Sequence, residues 1–271
     1  MSLFVAEWRK QRGLVFARSM LAVVVLGGAM VIFVMAGLDA GDVISTRQSF
    51  GWLPGVQLWA GLLSGILAFV PLTFVAWGTG LEQSHDTWKM VLTRHSPRRD
   101  VLFAKLLVAG LWLVLLLAST FVVWSGLATA LGWVLPVPPD PTIELSPHLY
   151  QVLGSVLRVI SLAPSIMLLT LLARSNGTLV GSLTGVLAPL AVNLTALWQE
   201  PSLNRLTPVF TSDALVLRLS EAPGAAEAAD RLVGASFGSL ACVMVLLAWL
   251  VLPLVGAFWH FERRDVLSES E

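Results

Sequence analysis

No glycine in this chain is followed by lysine, and its three lysines stand after Arg9, Trp88 and Ala104. A nucleotide-binding P-loop needs a glycine-rich turn closed by Gly-Lys-Ser or Gly-Lys-Thr, because backbone amides cradle the phosphates while the lysine reaches the outer ones. That route to ATP hydrolysis is therefore closed, and uphill work would need a motor on another subunit. Cysteine is equally scarce. Cys242 is the only one and lies in an apolar run, so no internal disulfide or thiolate metal site can form, and it is expected to pack inside a helix. Charge is thin as well, at 13% of residues, against roughly 25% in soluble domains. No Asp or Glu lies mid-span, and His85, His95, His148 and His260 fall in loops or at span ends. Intramembrane hydrolysis at Ser64 thus lacks a base, and the buried ionisable groups of an ion-coupled carrier are not expected.

What the chain has in abundance is apolar sequence: 56% of its 271 residues are hydrophobic, with a mean hydropathy of +0.80. Crossing a hydrocarbon core takes roughly 20 helical residues. Runs of that kind occupy about 14–38, 55–81, 101–124, 152–173, 178–198 and 233–258, the third able to run on until the block PVPPDP at 136–141. The expected fold is all-α, a single polytopic membrane domain with six transmembrane helices and no internal repeat. Pro71, Pro164, Pro189 and Pro253 lie inside spans and predict kinks rather than breaks.

A net charge of zero conceals an asymmetry. On alternate sides of the spans, twelve Lys and Arg face five, with Arg47, Arg158, Arg205, Arg218 and Arg231 forming the smaller group. The positive-inside rule puts both termini and the 82–100 loop in the cytoplasm of a cell-membrane protein. The first apolar stretch is too long for a cleaved signal, whose apolar core is about 7–15 residues. Ahead of it, SLFVAEWRKQRG predicts an interfacial helix over about 2–13, with Leu3, Phe4 and Trp8 towards lipid and Lys10 and its basic neighbours towards headgroups. Beyond the fifth span, residues 199–232 are too broken by proline to span. One or two short helices are expected there, with Ser212 or Asp213 as an N-cap.

Gly177, Gly181 and Gly185 bare one face of the fifth span for close packing, within the chain or between two copies. Thr73, Thr120 and Asn193 are polar mid-span residues that could contact a substrate. Residues 82–96 continue from the second span without a breaker until Pro97. Read as a helix, they align Glu82, Asp86 and Lys89 on one face and Trp88, Val91 and Leu92 on another. An exposed tryptophan among charges suits a protein contact, and otherwise an interfacial belt.

At this point the sequence resembles the permeases of ABC-2 type transporters. The resemblance rests on an acidic residue at the end of the second span, a short helix, then TRHSPRRDVLFAK, in which Pro97, Arg99 and Lys105 sit where the family places its Pro-x-Arg stretch and opening lysine. The start EWRKQRG matches the family's interfacial helix through Glu7 and Lys10. The run from Glu82 to Lys89 is also similar to permeases of lantibiotic self-immunity and peptide-antibiotic export. The resemblance implies two permease chains, here a homodimer or two related chains, and two cytoplasmic ATPase subunits that carry ATP and Mg. This chain would bind no cofactor, and no nucleic acid is expected. A coupling helix bearing Glu82, His85, Asp86, Trp88, Lys89 and Leu92 would dock on the ATPase. Pro97, Arg98, Arg99 and Lys105 would hold the third span at headgroup level. The expected function is export of an amphipathic substrate, such as an antimicrobial peptide, a lipid-like molecule or a drug. The alternatives are a carrier or channel without an ATPase, and a membrane enzyme or assembly scaffold.

Overall fold

A computed structural model describes residues 3–13, 69–84, 98–134, 145–173, 176–195, 201–220 and 222–263, together with scattered helical positions between 19 and 34 and between 55 and 63. Among the described residues every regular element is helical. The helices are α1 (Leu3–Gly13), α2 (Phe69–Ser84), α3 (Arg98–Val134), α4 (Leu145–Leu172), α5 (Gly177–Thr195), α6 (Pro201–Asn204), α7 (Pro208–Ser220), α8 (Ala225–Val233) and α9 (Ser239–Arg263).

Three of these carry windows long and apolar enough to cross a membrane: Arg99–Trp133, Leu149–Leu172 and Ser239–Arg263. α3 runs on past position 124 to Val134, because proline is absent until Pro136. Its 37 residues reach about 55 Å at 1.5 Å per residue, well beyond the roughly 30 Å of a hydrocarbon core. Pro164 and Pro253 sit inside α4 and α9 without ending them, as expected of kinks. α9 starts at Ser239, six residues later than the apolar run begins, since Val233 is the last turn of α8 and Gly234 follows with φ 85°. Most of the first expected span and the block at 136–141 lie outside the described residues.

α2, α4, α5 and α9 form the centre of the bundle, and α3 flanks α2 and α9. Trp59, Leu72, Leu102, Ile166 and Met167 are among its fully buried side chains. Trp59 donates its indole N–H to Thr120 Oγ1 at 3.0 Å and meets Phe121 edge-on, which ties the 55–63 stretch to the middle of α3. The outer surfaces of α3 and α9 stay apolar, with Val114, Val122, Leu252 and Val255 all exposed. Such faces suit lipid.

The glycine face of α5 is used inside this chain. α5 lies along α2, where a Cβ on Gly181 would stand 2.8 Å from Ala76 Cβ and one on Gly185 would stand 3.2 Å from the backbone nitrogen of Thr73. Gly181 also abuts Thr170 of α4. Gly181→Leu is expected to lower stability by about 1–3 kcal/mol through overpacking. Gly126→Ala, whose Cβ meets nothing within 4 Å, is expected to be neutral or slightly stabilising. Thermal aggregation of the two variants in detergent checks the contrast, and equal midpoints would remove the packing role from Gly181.

The segment between α5 and α9 folds as three short helices rather than one or two. Ser212 and Asp213 are interior residues of α7, correcting the expectation that one of them caps it. The helix starts earlier because Pro208 takes the first position, where a missing N–H costs nothing, and the Thr207 carbonyl accepts from Thr211 N–H at 3.2 Å. α8 buries Ala225, Ala229 and Val233, one every four residues. Its last carbonyls are satisfied from the side: Asn204 Nδ2 donates to Leu232 O at 3.1 Å and Arg205 Nε to Val233 O at 2.6 Å. α7, α8 and the first half of α9 enclose a second core around Phe210, Leu215, Cys242 and Leu246. Cys242 is a buried packing residue, as its apolar setting implied.

Candidate functional site

The bundle has two poles. At one, the start of α3 meets the end of α9, where Arg99 Nη2 donates to Glu262 Oε2 at 2.9 Å. α1 packs on α3 at this same pole, and its Gln11 approaches Gly78 near the end of α2. The chain between α2 and α3 therefore leaves and re-enters here. The second core and the first turns of α4 mark the opposite pole.

α1 is the helix expected over about 2–13, and Lys10 and Arg12 in its last turn suit the negative end of its dipole. Of its aromatic side chains, Trp8 turns to the bundle. Trp8 stacks on Trp112 of α3, ring centroids 5.2 Å apart, and Phe74 of α2 tilts against that indole at 5.8 Å. Stacking the two half-buried indoles takes apolar surface of both out of contact with solvent.

Beside this stack, Lys105 Nζ donates to Glu7 Oε1 at 3.1 Å, and Gln11 Nε2 donates to the same oxygen at 3.2 Å. Lys105 is only 2% exposed. It lies near the start of α3, where the sequence places the opening lysine of the third span, and its ammonium is enclosed by the protein. Burial alone would raise the Glu7 carboxyl, but the ammonium groups of Lys105 and Lys10 outweigh it and hold Glu7 below the usual carboxylate range. Lys10, although exposed overall, is drawn down to about 8 by partial burial and by Lys105, against which Glu7 pulls upward.

These shifts fix the sign of a pH dependence. The docked Glu7 holds a lower pKa than the undocked one, so its stabilisation of α1 is complete above pH 4.5 and fades as pH falls through the docked value. Lys10 acts in the opposite range: docking strengthens as pH rises from about 8 to 10.5. A spin label on Leu3→Cys in a Cys242→Ala background should be mobile in acid, immobile at neutral pH and most immobile near pH 10. Mobility that stays flat across that range would contradict the cluster's role.

A second ion pair, buried on its arginine side, stands at the other pole. Arg158 Nη2 donates to Asp213 Oδ1 at 2.5 Å and Oδ2 at 2.7 Å, linking α4 to α7. Arg158 counts on the minority side of the charge asymmetry, and its side chain is 8% exposed. Nothing local in the sequence announces either pair, since their partners stand 98 and 55 positions apart.

Of the other singled-out residues, Thr120 commits its hydroxyl to Leu116 O and Leu117 O at 2.9 Å while accepting from Trp59. Thr73 Oγ1 is buried with no hydrogen-bond partner among the described residues. Glu82 lies in the last turn of α2 and Arg98 begins α3, though the side chains of both lie outside the described residues. So do His85, Asp86, Trp88, Lys89, Leu92, Pro97 and the side chain of Asn193. Among the described residues no group of three or more His, Cys, Asp or Glu side chains is placed to hold a metal ion.

A family model described as ABC-2 family transporter protein matches residues 3–188, more than half of the chain, from the start of α1 into α5. No curated protein matches the chain, and no solved structure matches it. The matched region takes in the α1 cluster, both ends of the 85–97 segment and the apolar helices of an integral membrane protein, and the chain belongs to the ABC-2 family of transporter proteins.

Proposed function

We propose that the chain is the permease subunit of an ATP-driven exporter, with six spans, both termini and residues 82–96 in the cytoplasm of the cell membrane, and a second copy completing the pathway. Two copies of a separate ATPase supply the P-loop this chain lacks and carry ATP and Mg. Residues 82–92 dock on the ATPase, while Pro97, Arg98, Arg99 and Lys105 transmit the resulting movement to α3.

The observation that carries this reading is the pole where α1, the exit of α2, the entry of α3 and the end of α9 meet. A force applied between α2 and α3 acts there on three bundle helices at once. The sequence supports the orientation, with twelve of 17 Lys and Arg counted on this side. Thr73, with its hydroxyl buried beside α5, is the better pathway residue, since Thr120 spends its hydroxyl within the fold. The substrate is amphipathic, and the similarity around Glu82 to Lys89 favours a peptide antibiotic.

The test is co-expression with a P-loop ATPase and reconstitution in vesicles. The expected result is a complex of two permeases and two ATPases whose ATP hydrolysis drives efflux. Efflux by the chain alone, unchanged by the ATPase, would favour the carrier reading instead.

A further inference from the structure

A cavity of about 860 Å³ opens at the pole opposite the α1 cluster, between the first turns of α4 and the helices α7 and α8. That volume is within the roughly 300–1,000 Å³ of small-molecule sites. Val216, Leu232 and Ala228 contribute apolar wall, and the Arg158–Asp213 pair lies on the lining. The pair is asymmetric: the arginine side chain is 8% exposed, whereas the aspartate is 37% exposed. Arg158 backs the carboxylate, which fronts the cavity. Among the described residues Arg158 Nη2 fills one position on each carboxylate oxygen, and a carboxylate offers about four acceptor positions. At least two remain for a guest.

The hydroxyls of Ser155 and Ser220 share that bias. Ser220 donates its hydrogen to Leu217 O at 2.7 Å, and Ser155 turns its hydrogen to the carbonyls of Gln151 and Ala60 at 2.9 and 3.0 Å. Neither has a hydrogen left for a guest. Tyr150 and Gln151 on the same lining can donate as well as accept, but a guest anion would meet a carboxylate in front of Arg158, the one cation among the described lining residues, whereas an ammonium would meet that carboxylate and complete the pair as a charge-assisted triad.

We propose that this cavity binds the ammonium head of a cationic amphiphile, with Asp213 as its acceptor, Arg158 as the group that positions Asp213, and the α7–α8 wall receiving the apolar tail. The inference deepens the exporter reading, on which it rests for one point only, that the guest is cargo.

The experiment uses the full chain in lipid vesicles, without ATPase or nucleotide, so a failure of binding and a failure of ATPase coupling are separate results. The cavity-wall reporter is Ala228→Cys in a Cys242→Ala background, labelled by a water-soluble maleimide. Ser236→Cys, exposed in the turn before α9, reports effects of the probes on the membrane. Decylamine is expected to slow labelling at position 228 at least tenfold while leaving position 236 unchanged, and decanoate of equal chain length less than twofold. Asp213→Glu should keep the protection and Asp213→Asn should lose it. If Asp213→Asn fails to fold, the double variant Arg158→Gln with Asp213→Asn removes both charges together and should also lose it. Equal protection by decanoate, or protection by decylamine that survives removal of the Asp213 charge, would overturn the proposal.

Discussion

Glu7→Gln is expected to free α1 from the bundle by about 3–5 kcal/mol, the usual consequence of breaking one side of a buried ion pair. The cost is high because the lost carboxylate leaves two ammonium groups facing each other, Lys105 at 2% exposure and Lys10 already drawn down to about 8. The amide that replaces the carboxylate can still accept from Gln11, as Glu7 does at 3.2 Å, so the loss is one of charge. Trypsin reads the result, since Arg9, Lys10 and Arg12 are exposed on α1. When opening and closing are fast, cleavage follows the open population, so a loss of 3 kcal/mol raises the cleavage rate by about a hundredfold. The double variant Glu7→Gln with Lys105→Met should return most of that loss, because matched removal leaves no stranded partner. Cleavage at the wild-type rate in Glu7→Gln would show that α1 is held by the Trp8–Trp112 stack alone.

That experiment bears on why some of the molecule was legible in the sequence and some was not. The helices that cross the bundle announce themselves by apolar length, and proline and glycine mark several of their ends, as Pro136 bounds α3 and Gly234 ends α8. α1 was visible because its charges and aromatics fit a helix of about 11 residues. What covers a face is a different question from whether the face exists. Three glycines at four-residue spacing make α5 bare on one side, but nothing in that spacing says that α2, rather than a second copy, lies against it. The same gap explains Trp8, whose apolar face the sequence shows but whose partner Trp112, about a hundred positions on, it does not. Arg158 was missed because position along a span decides a tally of charges, whereas burial is decided by α7, which folds over it much later in the chain.

The largest functional effect is expected from the segment between α2 and α3. Trp88→Ala combined with Glu82→Ala and Asp86→Ala removes the aromatic anchor and the acidic face of the proposed docking helix. A buried aromatic at a protein contact is worth about 2 kcal/mol or more, so affinity for the ATPase should fall by about thirtyfold or more. Transport should fall further than binding. Residual complexes would retain an ATPase that closes on a helix no longer seated, and its hydrolysis would no longer move α3. The expected signature is therefore basal ATP hydrolysis that persists while substrate-linked hydrolysis and efflux disappear. Arg99→Gln tests transmission apart from docking, since it breaks an exposed pair with Glu262 at the same pole and leaves residues 82–92 intact. Surface pairs contribute about 0–1 kcal/mol, so this variant should keep the complex intact and change coupling only modestly. Uncoupling by Arg99→Gln equal to that of the triple variant would move the point of force transfer from residues 82–92 to the junction of α3 and α9.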